Sequence, residues 1–93
     1  MNHNHRRRVV ITGLGAITPL GLNVREFWEA CVQGRSGIGP LPAVDATNYP
    51  VKLAAEVRGF DPAATMDYKE ARRMARFTQL AIAAMHEAVA EAG

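Results

Sequence analysis

The sequence has a single cysteine, few aromatic residues, little net charge and no long apolar run. Because Cys31 is the only cysteine, no intrachain disulfide can form, which suits a reducing compartment. The net charge is only +2, and no aromatic residues interleave with a long basic run, which argues against a nucleic-acid binder. Glycines and Pro19 interrupt the longest apolar stretch, which is far short of the ~20 residues that span a membrane. We therefore expect a cytoplasmic protein that binds neither nucleic acid nor membrane.

The composition is that of a small globular chain. Its 93 residues are 48% hydrophobic and 22% charged, which predicts an ordered domain or a piece of a larger one. Residues 1–7 are polar and basic and predict a flexible, solvated arm. His3, His5 and residues 6–8 could suggest metal or phosphate binding, but a solvated arm is the favoured interpretation, and we expect no metal site. Residues 8–93 are then the folded part.

The first folded segment predicts a buried strand. Apolar residues run consecutively from Val9 to Ile11, which is typical of a strand covered on both faces. Gly13 and Gly15 follow as in a dinucleotide-binding turn, but Thr18 stands where the third glycine should be, and we expect no cofactor. The glycines instead predict a tight, crowded turn in which a side chain would not fit.

A helix should follow from Asn23. Asn23 and Glu26 have the spacing of a capping box, and Gly34 is placed to end the helix. Cys31 lies on the apolar stripe of this helix, so we expect a buried small hydrophobe and no nucleophile. The full stripe is Val24, Phe27, Trp28, Cys31 and Val32.

The second half of the chain predicts mainly helix. Residues 35–42 have loop character and residues 51–57 predict a short strand, after which Asp61 and Pro62 open one helical turn. Asp67 and Glu70 form a second capping box, from which helix should continue to residue 92 with a bend near position 75. One buried-type strand and two amphipathic helices do not close an α/β unit. We therefore expect its partner sequence beyond residue 93 or on another chain.

One basic helical face is the main candidate site. It is formed by Lys69, Arg72, Arg73 and Arg76, at i, i+3, i+4 and i+7. A solvated face and a docking patch for an acidic partner both account for this pattern. His86 stands alone near the end of the long helix, so we expect a surface residue and no catalytic base.

Several blocks, in order and at matching distances, resemble the opening of the β-ketoacyl-acyl-carrier-protein synthases, above all the type II elongating enzymes. The resemblance covers residues 7–93 in order and spacing. At position 75 an alanine stands where the family often has an acidic residue. The matching blocks are residues 7–15, 18–21, 27–28, 34–38, 69–74 and 76–77.

The resemblance implies the N-terminal part of a thiolase-like α/β fold, with five α-β-α-β-α layers and usually a homodimer. It implies decarboxylative Claisen condensation, in which an active-site cysteine takes the acyl group and two histidines assist malonyl decarboxylation. Those three residues lie beyond residue 93 in the family, and neither Cys31 nor His86 matches them. We therefore expect no catalytic residue here, and no condensing activity of this fragment alone.

The resemblance also bears on the basic face. Lys69, Arg72 and Arg73 match the positions that contact the acidic helix of acyl carrier protein in similar enzymes, which favours docking over a solvated face. Two alternatives stay open: a polyketide ketosynthase fragment, and a non-enzymatic module that binds an acidic protein through residues 69–76.

Overall fold

The first helix begins at the predicted cap. In the computed structural model, which describes residues 6–40 and 47–93, helix α1 spans Val24–Val32. The Asn23 side-chain oxygen accepts a hydrogen bond from the Glu26 N–H at 2.8 Å. The Glu26 carboxylate accepts from the Leu22 N–H at 2.8 Å instead of from Asn23. The capping prediction is confirmed, with the return bond displaced by one residue.

The end of α1 is also as predicted. Gly34 has a φ of 71°, a left-handed conformation that favours glycine. The Gly34 N–H donates to the Cys31 carbonyl at 3.1 Å, and the Arg35 N–H donates to Ala30 at 3.0 Å. This pair of bonds is a Schellman motif, which satisfies two carbonyls that the helix end would otherwise leave open.

Two short strands form an antiparallel pair. Strand β2, Leu53–Ala55, lies within the predicted strand over 51–57, which is confirmed. Its partner β1, Ile38–Pro40, lies in the segment predicted as loop, and Ile38 pairs with Ala55. The loop prediction over 35–42 is wrong for these three residues because tertiary pairing outweighs local turn signals. Residues 41 and 42 lie outside the described residues.

The helical second half is interrupted. A 3-10 turn spans Pro62–Ala64, and the Asp61 carboxylate caps it by accepting from the Ala63 N–H at 3.0 Å, as predicted. Helix α2 is only Tyr68–Ala71, and α3 spans Arg76–Ala92. The predicted bend near residue 75 is therefore a complete break, and the prediction of a continuous helix from Asp67 is wrong.

The strand predicted at the start of the chain is not formed. In residues 6–17, all of which the structure describes, no residue pairs as a strand. Val9, Val10 and Ile11 are 92%, 75% and 81% exposed. A strand needs a neighbour to accept and donate its backbone hydrogen bonds, and none of the described segments lies beside these residues in that way.

Gly13 and Gly15 nevertheless lie in a crowded place, as predicted. A Cβ at Gly13 would overlap the carbonyl oxygen of Ala88, and one at Gly15 would overlap that of Ala84. Ala84 and Ala88 are one turn apart on α3, so the glycine segment runs along that helix. The crowding comes from this helix backbone and not from a tight turn.

The described chain has very little buried core. Among the described residues, only Ala30, Ala71 and Ala83 are buried. The radius of gyration is 17.9 Å, against about 12 Å for a compact domain of this length. The predicted apolar faces therefore exist but are largely open to solvent. None of the helices in the described part of the chain combines the length and apolar character of a membrane span.

The placement of Cys31 contradicts the sequence prediction. Ala30 is the buried residue of α1 and Phe27 is half-buried, whereas Cys31 is exposed. Trp28 and Val32 are 64% and 70% exposed. Of the predicted stripe, Val24 and Phe27 are half-buried and the other three residues are exposed, while the buried Ala30 lies next to the stripe.

Candidate docking site

Three of the four predicted basic residues converge. Lys69, Arg72 and Arg73 are exposed and line one surface concavity. Lys69 belongs to α2, Arg72 follows its last residue, and Arg73 lies in the connection to α3. The structure therefore brings together the three residues predicted as a partner site. They lie at the end of α2 and in the turn that follows it, and not on one face of a continuous helix.

The two arginines occupy the centre of a four-residue turn. The Met74 N–H donates to the Ala71 carbonyl at 3.1 Å, which closes the turn around Arg72 and Arg73. Arg72 has φ −61° and ψ −23°, the usual values for the second residue of a type I turn. Both guanidinium groups consequently project from the tip of a turn that stands between two helices.

Neighbouring aromatic rings hold two of the arginines. The Arg72 guanidinium lies 5.7 Å from the centroid of the Tyr68 ring, one helical turn earlier. Arg76 is directed elsewhere: its guanidinium lies 4.9 Å from the Phe60 ring and donates to the Phe60 carbonyl at 3.4 Å. Cation–π contacts of this kind favour one side-chain direction over the others. Arg76 is thereby separated from the other three, and its predicted place on their face is wrong.

The three converging cations have no carboxylate partner in the described parts of the chain. The ion pair found there is Arg25 with Glu29, at 3.1 Å on α1. Asp67 is engaged elsewhere, since its carboxylate accepts from the Lys69 backbone N–H at 3.4 Å as the cap of α2. From Asp67 to Arg76 there are four basic and two acidic residues, a local charge of +2. The concavity itself is lined by three basic residues, which makes it complementary to an acidic surface.

The remaining candidate residues lie apart from this concavity. Cys31 is exposed on α1. A ring nitrogen of His86 is 3.0 Å from the Thr65 carbonyl oxygen, so the imidazole connects α3 to the segment before α2. His86 is on the surface, as predicted.

Two residues of the site were missed by sequence reasoning. Tyr68 is four residues before Arg72, a spacing that could have indicated the ring contact. Gln79 donates from its side-chain amide to the Ala71 carbonyl at 2.8 Å. No sequence signal indicates the second contact, because it depends on the break between α2 and α3.

Comparison with solved structures identifies the class of fold. The ishigamide ketosynthase/chain length factor superposes with a TM-score of 0.85 at 38% identity, over 95% of this chain and 22% of that one. The fold is therefore the N-terminal part of a thiolase-like ketosynthase, and the predicted fold class is confirmed.

Sequence comparison identifies the family. Residues 6–93 match the family described as "Beta-ketoacyl synthase, N-terminal domain", so the chain belongs to the β-ketoacyl synthase family. It is 44% identical over 88 residues to 3-oxoacyl-[acyl-carrier-protein] synthase 2 of Coxiella burnetii. It is 46% identical over 89 residues to the enzyme of that name from Staphylococcus aureus strain COL. These matches cover 95% and 96% of this chain but only 21% and 22% of the relatives.

Proposed function

We propose that this chain is the N-terminal portion of a 3-oxoacyl-acyl-carrier-protein synthase of fatty-acid elongation, an acyltransferase that works in the cytoplasm as a homodimer. The observation that carries the proposal is the convergence of Lys69, Arg72 and Arg73 in a chain of this family. Its relatives at 44% and 46% identity are named as synthases of 3-oxoacyl-[acyl-carrier-protein]. A cationic concavity is the surface that an acidic carrier protein requires.

In the proposed reaction, the acyl group passes from carrier-protein thioester to an enzyme cysteine, and the carrier thiol leaves. Malonyl carrier protein then loses carbon dioxide, and the resulting carbanion attacks the acyl-enzyme carbonyl. The cysteine thiolate departs, leaving β-ketoacyl carrier protein. We assign docking of the carrier protein to this chain and the covalent steps to other parts of the synthase. That division fits the resemblance, in which neither Cys31 nor His86 matches a catalytic position.

A hybrid enzyme tests the proposal directly. Residues 6–93 replace the matching segment of the Staphylococcus aureus synthase, and β-ketoacyl product is measured with acyl and malonyl carrier protein. We expect product from the hybrid and none from the 93-residue chain alone. A folded hybrid without product would refute the synthase assignment. Product from the 93-residue chain alone would refute the assignment of the covalent steps to other parts of the synthase.

The structural neighbour favours a second candidate, a polyketide-type ketosynthase. That neighbour is a ketosynthase/chain length factor, and the chain is 38% identical to it. A parallel hybrid with that ketosynthase separates the two proposals. Activity only in the hybrid with the Staphylococcus aureus synthase would support the fatty-acid synthase. Activity only in the hybrid with the ketosynthase/chain length factor would support the polyketide-type ketosynthase.

A further inference from the structure

The break between α2 and α3 has no ordinary helix breaker. No glycine or proline occurs from Asp67 to Ala92, and these residues would otherwise allow one continuous helix. The first residue before α3, Ala75, is extended with φ −67° and ψ 156°, and its side chain provides no cap. An alanine is among the poorest residues for this position. The break must therefore be held by a contact from elsewhere.

Gln79 makes that contact. In a continuous helix, the Ala71 carbonyl would accept from the Ala75 N–H, four residues later. Here the same oxygen accepts from the Gln79 side-chain amide at 2.8 Å and from the Met74 N–H at 3.1 Å. A carbonyl has two lone pairs, so both are in use. The Ala75 N–H has no acceptor among the described residues, in agreement with this exchange.

We infer that Gln79 is a positioning residue that stops α2 at Ala71 and thereby sets the direction of the docking cations. The inference rests on the proposed docking of acyl carrier protein. Without the break, Lys69 and Arg76 would lie on one helical face about 10 Å apart along the axis. With it, Arg72 and Arg73 project from a turn beside Lys69, and Arg76 is directed to Phe60.

Gln79→Met removes the donor and keeps the length of the side chain. Gln33→Met makes the same chemical change at an exposed position after α1 and is the matched control. Binding of the full chain to acyl carrier protein is measured by calorimetry at low salt. We expect Gln79→Met to weaken binding about fivefold, or ~1 kcal/mol, and Gln33→Met to leave it unchanged.

Hydrogen exchange distinguishes positioning from general stabilisation. In Gln79→Met the helices should fuse, so the Ala75 amide should become more protected. Adding Ala75→Ser supplies the missing cap and should restore both the break and the affinity. If the wild-type chain shows no salt-sensitive binding, the proposed docking itself is wrong. If wild type and Gln79→Met bind acyl carrier protein with equal affinity, the assignment of Gln79 is overturned. It is also overturned if Gln79→Met loses helical circular dichroism and its Ala75 amide does not become more protected.

Discussion

The carboxylate of Glu87 accepts hydrogen bonds from the backbone N–H of Val24, at 3.1 and 3.2 Å, across 63 positions of sequence. One oxygen also accepts from the Ala16 N–H at 3.0 Å. Val24 is the first residue of α1, where unpaired N–H groups and the helix dipole both favour a negative charge. Through this one side chain, α3 holds the glycine segment and the start of α1.

Glu87→Ala should therefore destabilise the chain by about 2 kcal/mol, because partly buried charge-assisted hydrogen bonds to two N–H groups are lost. Glu87→Gln should cost about half as much, since its carbonyl oxygen can still accept. Urea unfolding followed by circular dichroism measures both changes. Glu29→Ala is the control, because its exposed pair with Arg25 contributes only ~0.3–0.5 kcal/mol. If Glu87→Ala and Glu29→Ala lowered the free energy of unfolding equally, the bridging role of Glu87 would be contradicted.

Gly15→Ala should destabilise the chain by about 1–3 kcal/mol, the usual cost of overpacking. The added methyl would overlap the Ala84 carbonyl oxygen, which belongs to a helix backbone and cannot move aside alone. Gly39→Ala is the matched control, since its methyl would meet only the end of the Arg58 side chain at 3.4 Å. That control should stay within about 0.5 kcal/mol of wild type. Thermal unfolding of both variants checks the prediction, and a Gly15→Ala chain as stable as wild type would refute the close packing.

Local signals in the sequence predicted the local structure well. Asn23, Asp61 and Gly34 each form the cap expected from their position, because a cap depends on a few adjacent residues. The site was predicted in part by resemblance, which singled out Lys69, Arg72 and Arg73. Features that depend on distant partners were missed. Strand β1 needs β2, and the Glu87 bridge needs α1. The break near residue 75 was predicted only as a bend, since a full break depends on the Gln79 contact.

The apolar stripe of α1 shows the same limit. Periodicity correctly predicted an amphipathic helix, but it could not indicate which edge the described residues cover. Ala30 is buried, whereas its neighbour Cys31 is exposed. The prediction of a buried thiol was therefore wrong, and the chemistry of Cys31 should follow its exposure.

Cys31 should react with a disulfide reagent in the folded chain at nearly the rate measured in urea. Its exposed position on α1 gives a reagent free access to the sulfur, and access is one of the determinants of thiol reactivity. The release of chromophore from Ellman's reagent measures both rates at one pH. A folded chain that reacts more than about tenfold slower would mean that the sulfur is covered, as the sequence stripe alone predicted.

The docking assignment is tested most directly by reversing charge at the turn. In the hybrid synthase, Arg72→Glu/Arg73→Glu should raise the KM for carrier-bound substrate about tenfold at low salt, or ~1.4 kcal/mol. Repulsion then replaces attraction, so the effect should exceed that of the double alanine variant. It should shrink as salt rises and the Debye length falls below about 10 Å. Arg25→Glu on exposed α1 is the single-charge control, since Arg25 lies outside the concavity.

The decisive measurement compares wild type with Arg72→Glu/Arg73→Glu in two kinetic parameters. They are the KM for the carrier-bound substrate and the kcat/KM for a small thioester without the carrier. We expect a raised, salt-sensitive KM for the carrier-bound substrate and an unchanged kcat/KM for the small thioester. An unchanged KM for the carrier-bound substrate at low salt would contradict docking at this turn and leave Lys69, Arg72 and Arg73 as a solvated surface.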